Sequence, residues 1–474
     1  MTHSEEPGTP TPVDYIAHHL KSGRRKKAEK VARAALAETP HDPEVLTLLA
    51  GICTEDGRLA EAEQHLIEAG RLRSHHPQGY LNLAQFYVGA ARFGDAETVL
   101  REAIERLPKA FRLWLELGQL LQRLGRFAEA ETAFTTATDL NPEAPLPLLH
   151  LGMVLNRLDR LEEAANAFHK AIALAPDLAA AYGNLGNVEL RRGNLEAATQ
   201  AFEKATELEP QNGQAQASYG LAKLRLGDID AAIAIFESTL ERLGPERRAA
   251  AWLPIARAQA FGNMPLGARA ELGRHISRHS LGAADELAEL NRSLAAYINE
   301  HPTLVSDAAG KPTRGGAETG YLIEQNKPPL NPWLSRLVPL IDHYFASLKP
   351  EAKHPFLGRV PDRYQLDIWG AVVRGGGFQV PHLQAGAWMS GLYFAAVPAG
   401  VTSGDEDEKG WVDFGHPPED VPISFDPKPI PYAPKMGDAL FFPSYAFRRL
   451  RPLPHGEEPM VLINFNVRPI SWRS

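Results

Sequence analysis

The sequence predicts an α-helical repeat solenoid followed by a separate β-rich domain. A period of about 34 residues runs through the first half of the chain, and small residues recur on that period. After residue 354 the helical pattern gives way to short β-rich runs set between Gly and Pro turns. A chain of 474 residues is long enough for two or three domains, so both parts can have their own core.

The period is clearest in two consecutive repeats. Residues 111–142 read FRLWLELGQLLQRLGRFAEAETAFTTATDLNP, and residues 145–176 read PLPLLHLGMVLNRLDRLEEAANAFHKAIALAP. The shared Leu-Gly, the Gly or Asp turn, the aromatic residue among alanines and the closing Pro resemble the tetratricopeptide repeat, or TPR. Each repeat is then a helix hairpin that cannot bury its apolar face alone. The resemblance therefore implies a right-handed α-solenoid in which neighbouring hairpins stack.

Small residues on the same register explain how the helices pack closely. In four successive repeats the first helix carries glycine at one position and the second helix carries alanine at another: Gly118, Gly152, Gly186 and Gly220, and Ala130, Ala164, Ala198 and Ala232. We count six clear or fair repeats between two degenerate ends. The predicted domains are a TPR α-solenoid over 1–275, a helical preface over 276–353 and a β domain over 354–474.

Composition narrows the functional classes. The net charge is −8, with 44% hydrophobic and 23% charged residues, which is typical of a soluble globular protein and gives no nucleic-acid footprint. Because no stretch approaches ~20 apolar residues, we expect no membrane span. The first residues contain acids and no apolar core, so no secretory signal is expected. The single cysteine, Cys53, can form neither an internal disulfide nor a zinc cluster, and we expect a cytoplasmic protein.

The β-rich region, from about residue 289 to about residue 467, contains four recognisable runs. TRGGAETGYL, GGGFQVPHLQAGAWMSGLYF, GWVDFGHPP and LFFPSYAFRRLRP followed by INFNV resemble the iron(II)/2-oxoglutarate oxygenases that bacteria often fuse to TPRs. This resemblance implies a double-stranded β-helix, a cupin-like jelly roll. It also implies a ferrous ion held by three side chains and a cationic residue that pairs with the far carboxylate of 2-oxoglutarate.

The positions that carry this chemistry depart from the family pattern. His382 occupies the first ligand position, but Gln384 stands where the family has a second potential ligand. Arg448 replaces the histidine of FPSYxxH, and an arginine cannot ligate a metal. Met460 replaces the arginine of RxxIxFN, the usual co-substrate anchor. We therefore expect neither iron nor 2-oxoglutarate to bind, and no residue is assigned a catalytic role.

Two alternatives concern the side chains around these positions. Substitute ligands are conceivable, although all three candidates are more simply loop or strand-surface residues: Asp413, His416 and His455. The cluster of Arg448, Arg449 and Arg451 is either a site for a carboxylate or phosphate or a solvated strand end. In the second case the arginines pair with acids such as Glu457 and Glu458.

The repeats predict a partner surface on the concave face of the solenoid. The sixth position of successive repeats is always polar, and these side chains should line that face: Asn82, Glu116, His150, Asn184 and Ser218. A second series closes each first helix: Arg123, Arg157, Arg191 and Arg225. The arginines either compensate the helix dipole, which contributes ~0.3–1 kcal/mol, or form a positive stripe that favours acidic segments.

The sequence thus leaves two functions open. The first is a TPR scaffold that binds a protein or peptide partner and carries a degenerate oxygenase-like domain. The alternative is an active hydroxylase in which the TPRs present a protein or peptide to iron(II) and 2-oxoglutarate. The residues at 384, 448 and 460 favour the scaffold.

Overall fold

The structure is a computed structural model that describes residues 10–472 apart from 245, 263–265, 308–310, 323–327, 352–353, 355, 385, 402–406, 420 and 422. Its backbone contacts divide the chain into two compact units, 1–176 and 177–474. Each unit is described separately. Among the described residues, no helix is long and apolar enough to cross a membrane.

The first unit is a series of helix hairpins, as the TPR pattern predicts. Its first helices begin at Pro77, Phe111 and Pro145, each one repeat after the last. Proline at the first position needs no hydrogen-bond acceptor there. The helices are α1 (Pro12–Lys21), α2 (Arg25–Glu38), α3 (Pro43–Glu55), α4 (Leu59–Leu72), α5 (Pro77–Gly89), α6 (Phe93–Arg106), α7 (Phe111–Arg123), α8 (Phe127–Leu140), α9 (Pro145–Arg157) and α10 (Leu161–Leu174).

The second unit contains the remaining hairpins and the β domain. Its helices are α11 (Ala179–Arg192), α12 (Leu195–Leu208), α13 (Gly213–Arg225), α14 (Ile229–Leu243), α15 (Arg247–Phe261), α16 (Leu266–Arg274), α17 (Ala284–Asn299) and α18 (Leu330–Ser347). Its strands are β1 (Ser277–Ser280), β2 (Val305–Ser306), β3 (Thr313–Tyr321), β4 (Pro361–His382), β5 (Met389–Ala396), β6 (Val412–Phe414), β7 (Ile430–Tyr432), β8 (Asp438–Pro443), β9 (Arg448–Leu450) and β10 (Met460–Trp472).

The recurring glycines of the first helices have a steric cause. A Cβ atom on Gly186 would lie 2.8 Å from the ring of Phe202 on the second helix of the same repeat. The equivalent approach is 2.6 Å at Gly118, 2.7 Å at Gly152 and 2.5 Å at Gly220. Only glycine lets the phenylalanine ring lie against the first helix, so these four hairpins depend on this pair.

An ionic series that the sequence analysis did not identify links consecutive hairpins. Arg126 bonds Glu97 of the preceding repeat at 2.6 Å and Glu129 of its own helix at 2.7 Å. The same pattern holds one repeat away in either direction, at Arg92 and Arg160. These pairs are partly exposed, so each contributes only ~0–1 kcal/mol. Their repetition favours one register between neighbouring hairpins.

The strands form one antiparallel sheet in the order β1-β8-β5-β10-β4-β9-β6-β7, and β3 adds to β4. One face is covered by α17 and α18 through a cluster that includes Ile298, Trp333 and Ile341. The other face closes on itself. The ring centroids of Phe414 on β6 and Phe442 on β8 lie 4.8 Å apart, although these two strands are far from each other in the strand order. Such curling is consistent with a double-stranded β-helix.

The segment 276–353, predicted as a helical preface, contains more than helices. The two predicted helices are present as α17 and α18, but β1, β2 and β3 also lie in this segment. The Gly-rich run TRGGAETGY forms β3. A Cβ atom on Gly316 would lie 2.3 Å from the Val372 carbonyl oxygen, so glycine permits a close approach between β3 and β4 that ordinary strand propensity does not reveal.

The glycine–phenylalanine pairs give a testable prediction. Replacing Gly186 with alanine should lower the free energy of unfolding by ~1–3 kcal/mol, because the new methyl group overlaps the Phe202 ring. Gly183 lies on the same helix, and no atom lies within 4 Å of its added Cβ. Gly183→Ala is therefore the matched control and should stabilise by ~0.5–1 kcal/mol. Equal denaturation midpoints for the two variants would contradict this account.

Candidate functional site

Two of the family positions meet where β4 and β9 pair. His382, the last residue of β4, lies opposite Arg448, the first residue of β9. Directly paired residues of antiparallel strands present their side chains on the same face. The structure therefore brings the surviving ligand position together with the position where an arginine replaces a ligand.

Arg448 is buried, with 2% of its surface exposed. Its guanidinium donates from one terminal nitrogen to Gln379 Oε1 at 3.0 Å and from the other to Asn464 Oδ1 at 2.7 Å. It also lies over the ring of Phe442, 5.7 Å from the centroid. Burial lowers the pKa of Arg448 to about 10, and the charge of Glu318 opposes this shift. The side chain remains a cation at neutral pH.

A chain of hydrogen bonds connects this cation to a carboxylate. Gln379 donates from Nε2 to Thr313 Oγ1 at 3.0 Å, and the Thr313 hydroxyl donates to Glu318 Oε1 at 2.6 Å. Glu318 is 4% exposed, and its other oxygen lies 3.5 Å from Lys311 Nζ. Two buried polar residues, Gln379 on β4 and Thr313 on β3, thus provide a path of aligned dipoles between Glu318 and Arg448.

The imidazole of His382 has the tautomer that a metal ligand needs. Its Nδ1 lies 2.8 Å from the Val380 carbonyl oxygen, so Nδ1 carries the proton and Nε2 has a lone pair. Nε2 is inaccessible to solvent and has no hydrogen-bond partner among the residues that the structure describes. Burial and then the charge of Arg448 hold the pKa of His382 well below its ordinary value of 6.5. The imidazole is therefore neutral at neutral pH.

The other two family positions supply neither a ligand nor an anchor. Gln384 lies two residues beyond β4, where its backbone N–H donates to the Ser444 carbonyl at 3.1 Å. Met460 is fully buried in the apolar cluster between the sheet faces and cannot pair with a carboxylate. With one imidazole, one amide and a buried guanidinium, the described residues do not fit a ferrous ion and 2-oxoglutarate at this place.

The proposed substitute ligands lie in other environments. Asp413 is fully buried and paired with arginines. His416 has its Nδ1 2.8 Å from the Pro417 carbonyl oxygen, and burial lowers its pKa. His455 is exposed. Within the described part of the chain, the groups of three His, Cys, Asp or Glu side chains close enough to share a metal do not include His382.

The three clustered arginines do not act as one group. Arg448 faces the buried network, whereas Arg449 and Arg451 both bond Asp413 Oδ2 at 2.9 Å. Arg451 also bonds Glu408 at 2.5 Å. Successive strand residues point to opposite faces, which separates Arg448 from Arg449. The acids that pair with Arg449 and Arg451 are thus Asp413 and Glu408, where the sequence analysis considered Glu457 and Glu458.

A second polar cluster was missed by the sequence analysis. Glu271 Oε1 lies 3.0 Å from Nε2 of both His275 and His354. His354 Nδ1 accepts the backbone N–H groups of Phe356 and Leu357, so its proton is on Nε2 and points at Glu271. A metal needs a lone pair at that nitrogen, so the cluster is a hydrogen-bonded contact between α16 and the loop before β4. The i, i+4 spacing of Glu271 and His275 can be read from the sequence, but the contact of His354 with Glu271, 83 residues away, cannot.

The other group close enough for a metal lies in the first unit and is held by ion pairs. It comprises Cys53, Glu61 and His65. Glu61 bonds Arg33 at 2.6 Å and Arg58 at 2.7 Å, and burial raises the pKa of the Cys53 thiol. Neutralised carboxylate and protonated thiol are poor ligands, so we assign no metal there.

The predicted partner surface corresponds to one stripe on each first helix. The second, sixth, ninth and thirteenth positions of a repeat lie on one side of the helix, and we call them the stripe. Within the first unit, Gln78 donates to Asn82 at 2.8 Å, and Gln85 donates to Glu116 at 3.4 Å. Gln119 lies 3.0 Å from His150 Nε2. The polar side chains of the sixth position therefore bond other stripe positions, often across adjacent repeats.

The second unit repeats this arrangement. Asn184 donates to the Ala180 carbonyl at 2.8 Å, and Ser218, which is buried, lies 3.4 Å from a terminal nitrogen of Arg248. Two of the four predicted arginines line a cavity of about 770 Å³, whose lining is Asn187, Leu190, Arg191, Arg192, Gly193, Leu195 and Arg225. In the first unit, Arg123 and Arg157 are exposed, and Arg157 lies over the Phe127 ring, 5.6 Å from its centroid.

Comparisons with protein families agree with both parts of the fold. Residues 81–145, 115–179, 149–213 and 184–247 match one model described as "Tetratricopeptide repeat", and residues 19–78 match a second model of the same description. Residues 367–466 match "Putative 2OG-Fe(II) oxygenase". The chain therefore contains TPRs and a C-terminal domain that matches this oxygenase family, as the resemblance indicated.

Parts of the chain align with solved structures. The APC/C hetero-tetramer Cut9-Hcn1 is 18% identical, with 52% of this chain and 48% of that chain aligned and a TM-score of 0.40. MamA is 26% identical over 34% of this chain and 93% of its own, with a TM-score of 0.32. YrrB, described as a TPR protein with an unusual peptide-binding site, is 23% identical over 39% of this chain and 95% of its own, with a TM-score of 0.32. No curated protein matches the sequence.

The buried imidazole predicts a dependence of stability on pH. The pKa of His382 is depressed in the folded state, so its stabilising contribution is complete above the unfolded value of ~6.5 and is lost as the pH falls below it. The loss approaches ~1.4 kcal/mol for each further pH unit. We expect denaturation between pH ~7 and ~5 to show a shallower fall for His382→Asn than for the wild type. The matched change at the exposed His455 should keep the wild-type slope, and an identical slope in all three proteins would refute the assignment.

Proposed function

We propose that this chain is a scaffold whose TPRs bind an extended segment of a protein partner and whose β domain does not perform iron/2-oxoglutarate chemistry. The observation that carries the second part is the buried guanidinium of Arg448 beside His382. The first part is supported by the TPR matches and by the stripe, whose polar side chains recur once per repeat.

Arg448 opposes a metal ion in two ways. It has no lone pair to offer, and its charge repels a divalent ion. Two unit charges 4 Å apart interact by about 4 kcal/mol at an effective dielectric constant of ~20, so the repulsion of a divalent ion is about twice that. Gln384 is a neutral amide, and Met460 cannot attract the co-substrate carboxylate. Arg448 therefore opposes binding of the ion, Gln384 weakens its coordination, and Met460 provides no anchor for the co-substrate.

The stripe is suited to an extended chain rather than to a folded surface. An extended backbone presents donors and acceptors at regular intervals, and amide side chains such as Asn184 can donate and accept at once. The bonds within the stripe use only part of this capacity, since Asn184 Nδ2 donates to Ala180 while its oxygen can still accept. The existing bonds also fix the side chains, which lowers the entropy lost on binding.

The proposal for the β domain is tested by restoring the missing groups. Wild-type protein purified with added iron(II) should contain no stoichiometric metal and should give no heat on titration with 2-oxoglutarate. The combined variant Gln384→His, Arg448→His and Met460→Arg should bind Co²⁺, seen by visible absorption, because it returns two imidazoles to the lone pair of His382. Adding His382→Ala to that variant should abolish the absorption.

One wild-type result would overturn the proposal. Iron bound one to one, together with 2-oxoglutarate turnover that His382→Ala abolishes, would establish the active hydroxylase. The Co²⁺ experiment does not depend on identifying a substrate. Co²⁺ binding by the combined variant would show that the fold brings the three positions together and that only the ligands are missing. No binding would show that the fold does not bring them together.

The partner surface is tested by position-specific cross-linking in cells. A photo-cross-linking amino acid in place of Asn184 should capture the partner, because this side chain lies on the stripe. The same amino acid in place of Arg257, which is exposed and paired with Glu237 off the stripe, is the matched control and should capture far less. If the amino acid captures the partner from position 470, where the exposed Ile470 of β10 lies, and not from position 184, the partner binds the β domain.

A further inference from the structure

The β domain covers α15, the first helix of the last repeat, and leaves a cavity beside it. The Trp252 ring packs edge-on against Phe447, with centroids 4.7 Å apart. Gln259 Oε1 accepts the backbone N–H of Ser424 at 2.8 Å. The cavity has a volume of about 80 Å³ and is lined by residues of α15, α16, β6 and β7 and of the loops at 427–428 and 445–447. Because these elements already contact one another, the cavity is preformed, as ligand sites usually are.

The walls of this cavity are mainly apolar. They include Pro254, Ile255, Leu272, Phe414 and Ile430. In other proteins an apolar cavity of ~150 Å³ stays dry and takes up benzene. Roughly half that volume suits a branched alkyl group of about three or four carbon atoms. The lining therefore selects a small, branched, apolar group.

The wall also offers two neutral polar groups. Pro254 lies inside α15 and has no N–H, so the carbonyl of Ala250, four residues earlier, lacks its usual helical donor. Both residues line the cavity, and so does Tyr445, the one lining residue with a side-chain hydroxyl among those described. A hydroxyl group on a ligand can donate to the carbonyl and accept from the tyrosine at the same time.

The opening of the cavity is positively charged. Arg269 and Lys428 belong to the lining and are exposed. Arg269 donates to the carbonyl oxygens of Lys428 at 2.9 Å and Pro429 at 3.4 Å, and both acceptors are neutral. Asp426 Oδ1 accepts the backbone N–H of Lys428 at 3.1 Å, which fixes the loop. A carboxylate bonds well to a guanidinium and to an ammonium group, so the opening favours an acid.

We propose that this cavity binds a short branched-chain 2-hydroxy acid. Its alkyl group occupies the apolar part, its hydroxyl lies between the Ala250 carbonyl and Tyr445, and its carboxylate lies at Arg269 and Lys428. The inference goes beyond the proposed function, because it uses neither the partner surface nor the family positions. A ligand in this place contacts the last repeat and the β domain together, so its binding stabilises the folded state in which they are joined.

The first test uses the full-length protein and a ligand-observed NMR titration with 2-hydroxy-3-methylbutanoate. Binding should be saturable. Lactate has the same hydroxyl and carboxylate but two fewer methyl groups, and its Kd should be about tenfold higher or more. The compound 3-methylbutanoate lacks only the hydroxyl, and its Kd should be about fivefold higher, because one hydrogen-bonding group is lost.

The second test uses matched pairs of variants. Ala268→Leu places a larger side chain in the lining and should abolish binding, whereas Ala270→Leu changes an exposed residue of the same helix outside the lining and should keep it. Lys428→Gln should raise the Kd by about fivefold, because a charged contact is lost. Lys435→Gln removes the same charge from an exposed residue outside the lining, and should leave the Kd within about twofold.

Three results would overturn the inference. These are no saturable binding of the branched acid, equal affinities for this acid and lactate, and wild-type affinity in Ala268→Leu. Denaturation midpoints of all variants show whether they are folded. If Ala268→Leu is unfolded, Lys428→Gln and Lys435→Gln decide, and equal Kd values for these two would also overturn the inference. None of these results bears on cross-linking from position 184, so the scaffold proposal stands or fails separately.

Discussion

A buried guanidinium must be solvated by the protein itself, and the interior of the β domain is arranged around that requirement. Arg448 on β9 is surrounded by oxygens from Gln379 on β4 and Asn464 on β10, and β3 supplies the balancing carboxylate of Glu318. Four strands therefore meet at one positive charge. The family resemblance implies a metal ligand at position 448. Here a side-chain cation joins the strands instead.

Because of this network, the residues at the family positions do not act independently of one another. Removing one partner of a buried charge leaves the other uncompensated, which typically costs about 3–5 kcal/mol. A histidine at position 448 alone would remove the charge at one end of the relay and leave Lys311, 3.5 Å away, as the cationic partner of Glu318. The guanidinium, the relay through Thr313 and the apolar Met460 share one interior, in which Arg448 Nε and Asn464 Nδ2 have no hydrogen-bond partner among the described residues.

The sequence predicted the parts of this molecule that have a local period. The repeat register placed the helix starts at Phe111 and Pro145, since hairpin packing repeats the same steric rule at Gly118 and its equivalents. Motif order brought positions 382 and 448 together across β4 and β9. Contacts of long sequence separation could not be predicted, because nothing in the pattern of Glu271 or Gln259 signals partners 83 and 165 residues away. The strand β3, which carries Glu318, lies in the predicted helical preface, and its glycines give it no apolar alternation that would mark a strand.

The contact between α15 and the β domain joins the last repeat to the strands that carry His382 and Arg448. A terminal repeat of a solenoid must cover its last apolar surface, usually with a polar capping face. Here Trp252 and Ile255 are buried in one cluster with Leu383 and Phe447, the residues adjacent in sequence to His382 and Arg448. The strand ends that carry His382 and Arg448 are thus held against the last repeat, and they complete its core. This contact gives the β domain a physical role that does not require its interior to be open to a substrate.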